Sequence, residues 1–233
     1  MISYAALKEK SWACNQELPR SGLVVHTFGN ASAFDPSAGV FAIKPSGVPF
    51  DVLKPEMMVV VDLEGNVVDG ILRPSSDTPT HAVLYRAWPD LGGIVHTHSP
   101  HALAWAQARR AIPVLGTTHA DCMPRDIPCT LPLSARKIQG AYEEATGRQI
   151  VSTIGRRSHL EIQMVLVASH GPFTWGTTAE QAVENSILLE LIARTALLTL
   201  QINPRTPRLA PALLKKHFTR KHGPHATYGQ ARD

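Results

Sequence analysis

Gly92-Gly93-Ile94-Val95-His96-Thr97-His98-Ser99 reads as a short apolar strand, entered through two glycines and closed by two histidines one residue apart. Side chains alternate faces along a strand, so His96 and His98 point one way and Thr97 the other. Two imidazoles on one face at a strand end can hold one divalent ion. A second unbroken apolar strand, Met164-Val165-Leu166-Val167-Ala168, runs into Ser169-His170-Gly171. Where two such strands neighbour each other, His96, His98 and His170 meet at one sheet edge. Three nitrogens with open coordination positions suit a catalytic rather than a structural metal. Asp77 or Asp121 would add a carboxylate or orient a ligand from outside. His26, His81, His101 and His159 read as structural or solvated.

Outward from these strands the chain alternates helix and strand without repeats or low-complexity linkers. Helical patterns cover residues 4–17, 78–87, 100–109, 134–146, 178–201 and 211–222. Thr78-Pro79 is a helix start with a capping hydroxyl and a proline in the first turn. Glu180 suits the positive end of the longest helix. Further strands are predicted at 23–27, 40–43 and 57–62, the last turning through Glu64-Gly65-Asn66 into 67–68. Strands this closely spaced favour a mixed or antiparallel sheet over a doubly wound parallel one. The expected architecture is one α/β domain over residues 1–233.

Composition narrows the function classes. The chain has 233 residues, is 44% apolar and carries a net charge of +4. That is enough for one sizeable core, with basic residues scattered along most of it. The only basic cluster, Lys215, Lys216, Arg220 and Lys221, reads as a solvated C-terminal helix rather than a nucleic-acid contact. Cys14, Cys122 and Cys129 are an odd number without a paired framework, as expected of a reducing cytoplasm. Charged Lys8, Glu9 and Lys10 argue against a signal peptide. Glu190 and Arg194 interrupt the most apolar stretch, 187–200, and argue against a membrane span.

Turns rich in glycine and hydroxyls form a second theme. Gly29-Asn30, Ser46-Gly47 and Ser75-Ser76 each flank a predicted strand or helix. Such turns offer backbone N–H groups and hydroxyls to an anion, and Ser75-Ser76 precedes a helix N-terminus that favours negative charge. Lys44 adds a point charge. Neither a G-x-G-x-x-G nor a Walker sequence is present, so a small phosphorylated metabolite fits better than a nucleotide.

In this order the segments resemble the class II aldolase/epimerase superfamily. They are Gly29-Asn30-Ala31-Ser32, Lys44-Pro45-Ser46-Gly47-Val48, Pro74-Ser75-Ser76-Asp77-Thr78-Pro79-Thr80-His81 and Gly93-Ile94-Val95-His96-Thr97-His98-Ser99. Gly116-Thr117-Thr118-His119-Ala120-Asp121, Ile127-Pro128-Cys129-Thr130, Ser169-His170-Gly171-Pro172-Phe173 and Tyr228-Gly229-Gln230 are similar to its L-ribulose-5-phosphate 4-epimerase branch. The likeness runs over nearly the whole chain and is weakest at 148–163. It implies an α/β/α fold around a largely antiparallel sheet, and a homotetramer with sites shared between subunits. It also implies that His96, His98 and His170 hold a divalent metal, usually zinc (Mn2+ or Co2+ being possible), with Asp77 as the further metal-site carboxylate. Gly29, Asn30, Ser46, Gly47, Ser75 and Ser76 would bind the substrate, chiefly its phosphate. Asp121 and Tyr228 would be the acid/base pair, Tyr228 reaching in from an adjacent subunit. His217 and Arg220 would help line that shared site from the tail at about 204–233.

The chemistry agrees with a need for a metal. In L-ribulose 5-phosphate the C4 proton is not adjacent to the C2 carbonyl, so direct deprotonation is unattractive. Oxidation would require a nicotinamide, for which no fingerprint exists. Retro-aldol cleavage of C3–C4 remains, with re-addition to the other face of glycolaldehyde phosphate giving D-xylulose 5-phosphate. The metal's part would be that of a Lewis acid, and Asp121 and Tyr228 would carry protons to and from the C4 oxygen. Family aldolases are similar at the Ser-Ser pair but have Glu at the next position, where this chain has the shorter Asp77. That difference favours the epimerase. The alternatives are an aldolase on a related sugar phosphate and a non-catalytic binding module on the same scaffold.

Overall fold

A computed structural model of the protein describes residues 3–222 and 226. Its centre is a seven-stranded sheet in the order β4-β3-β2-β1-β5-β7-β6, with every neighbouring pair antiparallel. The strands are β1 (Asn30–Asp35), β2 (Val40–Ile43), β3 (Val59–Asp62), β4 (Val67–Asp69), β5 (Gly93–His96), β6 (Met164–Val167) and β7 (Gly171–Gly176). The helices are α1 (Ala5–Arg20), α2 (Thr78–Ala87), α3 (Pro100–Gln107), α4 (Thr117–Cys122), α5 (Ala135–Gln139), α6 (Tyr142–Ile154), α7 (Ala179–Ile202) and α8 (Pro211–His222). The antiparallel α/β reading is therefore the observed fold.

Alternation along the strands divides the core between two faces. Ala31, Ala33 and Val95 pack against Cys14 and Leu18 of α1 and against Ala179, Ala182 and Val183 at the start of α7. Phe41, Ile43 and Ile94 face the other way, onto Leu84 and Tyr85 of α2. The small residues of β1 and β5 let α1 and α7 approach closely. At Gly93 an added Cβ would lie 2.3 Å from the Cα of Ala179, so the glycines that open the strand are required by the helix lying on it.

Several expected elements fall elsewhere. Residues 23–27 are not a strand; they form turns and irregular chain, although Leu23 is buried. The strand is β1, whose Asn30-Ala31-Ser32-Ala33 start is too small and polar to stand out as an apolar run. The β7 strand was hidden by Pro172, a residue usually kept out of central strands. The strand entering the histidine pair stops at His96, so His98 lies just beyond it. The single helix expected over 134–146 is two, broken at Gly140, and the second runs on to Ile154. α4 lies in a segment expected to be loop.

The longest helix, α7, is long and apolar enough by composition to cross a membrane. It instead packs across β5 and β7 and buries residues from Ala179 to Ala196. Glu190 faces inward, where its carboxylate accepts the backbone N–H groups of His101 (3.0 Å) and Ala102 (3.0 Å) and the ring Nδ1–H of His101 (2.7 Å). That side chain ties α7 to the first turn of α3, immediately after His98.

Candidate metal centre and anion-binding cleft

β1 and β5 run antiparallel with Asn30 opposite His96, and β5 and β7 with Phe173 opposite His96. This register puts His96 at the middle of the sheet's edge. The β6–β7 turn brings His170 to it. Ser169 in that turn has φ 63°, a left-handed conformation that costs a non-glycine residue of order 1 kcal/mol. Two bonds hold it there: Ser169 N–H donates to the carbonyl of Ala106 at 2.8 Å, and its hydroxyl accepts from Arg109 Nε at 3.0 Å. An added Cβ on Gly171 would lie 2.8 Å from Thr97 O, 3.2 Å from the His96 ring and 3.4 Å from the His98 ring. Only glycine leaves room for the Thr97 carbonyl beside the His96 ring.

The resulting cluster has one ligand nitrogen from each of His96, His98 and His170, all within 4.8 Å of one another. His96 Nδ1 lies 2.9 Å from the carbonyl of Pro172, which can only accept, so Nδ1 carries the proton and Nε2 is bare. That Nε2 stands 3.1 Å from His98 Nε2. Two ligands of one tetrahedral zinc at its usual bond length would stand about 3.3 Å apart. Burial lowers the pKa of His96 and His98 and pushes that of His170 down to about 4, so the rings stay neutral, as ligands must be. The donor set therefore fits a divalent metal.

Asp77, the last residue before α2, is half-buried beside this cluster. Asn30 Nδ2 donates to its carboxylate at 2.7 Å and to Ser75 Oγ at 3.2 Å. Burial raises the Asp77 pKa, but the polar groups around it, the Asn30 amide among them, outweigh this and leave it below its ordinary value. His81 itself is buried and bonded to Ser32 Oγ at 2.7 Å, a structural role as expected.

A cleft of about 350 Å³ opens over the cluster. Gly29, Asn30, Lys44, Ser46, Gly47, Ser75, Ser76, Asp77, His96, His98 and His170 all line it, joined by Phe28, which stacks on the His98 ring. Sequence reasoning missed Phe28. Lys44 is 2% exposed and, among the described residues, has no carboxylate partner; its ammonium lies 4.7 Å above the Phe50 ring. Burial lowers its pKa to about 8. A lysine held without a counter-ion at a cleft wall is arranged to meet an anion.

The profile of the class II aldolase and adducin N-terminal domain matches residues 9–197. The chain belongs to this family. Solved structures of similar fold include an L-fuculose 1-phosphate aldolase, 24% identical, with a TM-score of 0.77 over 93% of this chain and 96% of that one. A putative aldolase/epimerase/decarboxylase from Klebsiella pneumoniae is 23% identical, with a TM-score of 0.70 over 93% and 99%. An L-fuculose-1-phosphate aldolase from Thermus thermophilus is 23% identical, with a TM-score of 0.68 over 88% and 100%. At these identities the likeness speaks for the class II aldolase fold.

Asp121, His217 and Arg220 of this aldolase-family chain gather away from the cleft. Among the described residues, α4 and α8 contribute nothing to its lining. Asp121 on α4 accepts from Arg220 (3.1 and 2.8 Å) and lies 3.0 Å from His217 Nδ1, both on α8. Burial raises the Asp121 pKa, and the Arg220 and His217 bonds more than reverse this. Of the two carboxylates considered for the metal, Asp77 lines the cleft beside the histidines and Asp121 does not. Tyr228 lies outside the described residues. Tyr142, unmarked by any sequence pattern, stands 3.2 Å from His170 Nδ1.

Proposed function

We propose that this protein is a divalent-metal-dependent epimerase that converts L-ribulose 5-phosphate to D-xylulose 5-phosphate by cleaving and re-forming the C3–C4 bond. The observation that carries the reading is the convergence of His96, His98, His170 and Asp77 on one cleft whose wall holds Lys44, Ser46 and Ser75. A metal held by the three imidazoles, with Asp77 beside it, would supply Lewis-acid stabilisation of the charge that develops on the cleaved fragment. The chain's own groups then have distinct tasks. Lys44, with the hydroxyls and N–H groups of 46–47 and 75–76, binds the phosphate. Asn30 orients Asp77 through its 2.7 Å bond. The longer reach of glutamate is absent at position 77, so proton delivery to the enediolate carbon is poor and the fragment is retained for re-addition.

Proton transfer at the C4 oxygen belongs to Asp121 and Tyr228 in this proposal. The separation of the Asp121–His217–Arg220 cluster from the cleft supports a division of labour between subunits of a homotetramer. In it, the tail of one single-domain subunit completes the site of the next. The metal is zinc in this reading, and the setting is cytoplasmic pentose catabolism.

A second reading, an aldolase acting on a related sugar phosphate, is favoured by the names of the similar structures, which include L-fuculose 1-phosphate aldolases. Turnover of L-ribulose 5-phosphate with and without chelator and added zinc separates the two. Metal-dependent D-xylulose 5-phosphate with little free glycolaldehyde phosphate is the expected result. Abundant free aldehyde would favour the aldolase, and a purified protein that binds no metal would point to a binding module.

A further inference from the structure

Tyr142 opens α6, and its hydroxyl lies 3.2 Å from Nδ1 of His170, with the two rings 5.9 Å apart. Its backbone is fixed from two sides: Thr146 Oγ1 donates to Tyr142 O at 2.9 Å, and Thr80 Oγ1 on α2 donates to Glu143 O at 2.6 Å. The first turn of α6, which carries Tyr142, is thus anchored to α2, the helix that Asp77 precedes. The His170 backbone N–H is bonded to Val167 O at 3.0 Å, but among the described residues its ring has no backbone carbonyl like the one that fixes His96.

We propose that Tyr142 is the positioning residue that makes His170 a metal ligand: its hydroxyl oxygen accepts the His170 Nδ1–H and so fixes the tautomer that leaves Nε2 bare. The inference rests on the metal-centre reading above. It reproduces with a side chain what the Pro172 carbonyl does for His96. Metal-bound histidines usually donate their second N–H to an oxygen of this kind, and loss of that partner weakens metal binding by roughly 10–100-fold. The opposite polarity, with Tyr142 donating to Nδ1, would leave the proton on Nε2 and block coordination.

The test compares the full-length protein with Tyr142→Phe, which removes one oxygen. Three quantities are read: the zinc dissociation constant by competition with a chromophoric chelator, the d–d spectrum of the cobalt form, and the melting temperature without metal. The expected result is zinc binding weaker by roughly 10–100-fold with shifted cobalt bands and an unchanged metal-free melting temperature. Equal zinc affinity in the two proteins, with or without a drop in melting temperature, would overturn the role of Tyr142 and leave the metal centre standing. Failure of the unaltered protein to bind zinc would remove both. Side-chain 15N spectra of the unaltered zinc-loaded protein give an answer independent of the variant. A proton on His170 Nδ1 supports the proposal, and a proton on Nε2 overturns it.

Discussion

The Nε2 atoms of His96 and His98 stand 3.1 Å apart, and the Pro172 carbonyl has already assigned the His96 proton to the far side of its ring. Without metal, His98 Nε2 must carry a proton and donate it to His96. For His98 to offer Nε2 to an ion, that proton would have to move to Nδ1, and the His–His bond would be given up.

Replacing His98 by asparagine removes one of the three proposed ligands from a site whose other two remain neutral. His98→Asn is expected to lose its zinc on dialysis while the unaltered protein retains about one ion per chain, as three-histidine sites do. Metal content by atomic emission checks this, and retention of stoichiometric zinc would remove His98 from the ligand set.

Lys44 titrates in an unusual range because burial lowers its pKa from 10.5 to about 8. Below pH 8 it is an ammonium able to meet a phosphate dianion; above pH 8 the charge is lost. KM for the phosphorylated substrate is therefore expected to rise with pH above about 8 in the unaltered enzyme. In Lys44→Met it should be high throughout and flat across the same range. A KM that does not change between about pH 7 and about pH 9.5 would take Lys44 out of phosphate binding.

Glu190 is a carboxylate 16% exposed in its side chain, caught by donors from the start of α3. Burial raises its pKa, and the N–H groups of Ala102 and His101 together with the His101 ring reverse this and hold it below its ordinary 4.5. A depressed carboxyl contributes stability that is present above its unfolded value and lost as pH falls through its folded one. Glu190→Gln should thus cost about 1.5–3 kcal/mol near neutrality, the range for hydrogen bonds to a charged group. The gap to the unaltered protein should close as pH falls below 4.5, as read by urea unfolding. A gap that persists at low pH would mean the loss is one of packing.

Lengthening Asp77 by one methylene changes what the cleft does with the cleaved fragment. Asp77→Glu is expected to raise free glycolaldehyde phosphate relative to D-xylulose 5-phosphate, because the longer carboxyl reaches the enediolate carbon and protonates it. An unchanged product ratio would detach Asp77 from the choice between epimerase and aldolase.

Under the proposed function the Asp121 cluster and Tyr228 would serve a neighbour's cleft. Hybrid oligomers of His96→Asn subunits with Tyr228→Phe subunits should regain activity that neither parent shows, since some clefts would then pair intact ligands with an intact tail. Mixtures as inactive as their parents would confine each site to one chain.

Much of this protein was legible in its sequence because the signals are local. The periods of the apolar runs mark β2, β3, β5 and β6 and the long helix α7. The His-x-His pair and the Ser-Ser-Asp-Thr-Pro helix start mark a candidate metal set and a candidate anion turn wherever they end up. Local pattern fails at β1 and β7, where Ala31, Ala33 and Pro172 are chosen for contacts with α1 and neighbouring strands rather than for strand propensity. Only the tertiary structure decided that β5 lies between β1 and β7, and with it that Asn30 faces His96, that Asp77 rather than Asp121 lines the histidines' cleft, and that Tyr142 meets His170. Side chains distant in sequence come within hydrogen-bonding reach because strand order and helix packing put them there. Those depend on how whole faces bury together, which no single segment carries.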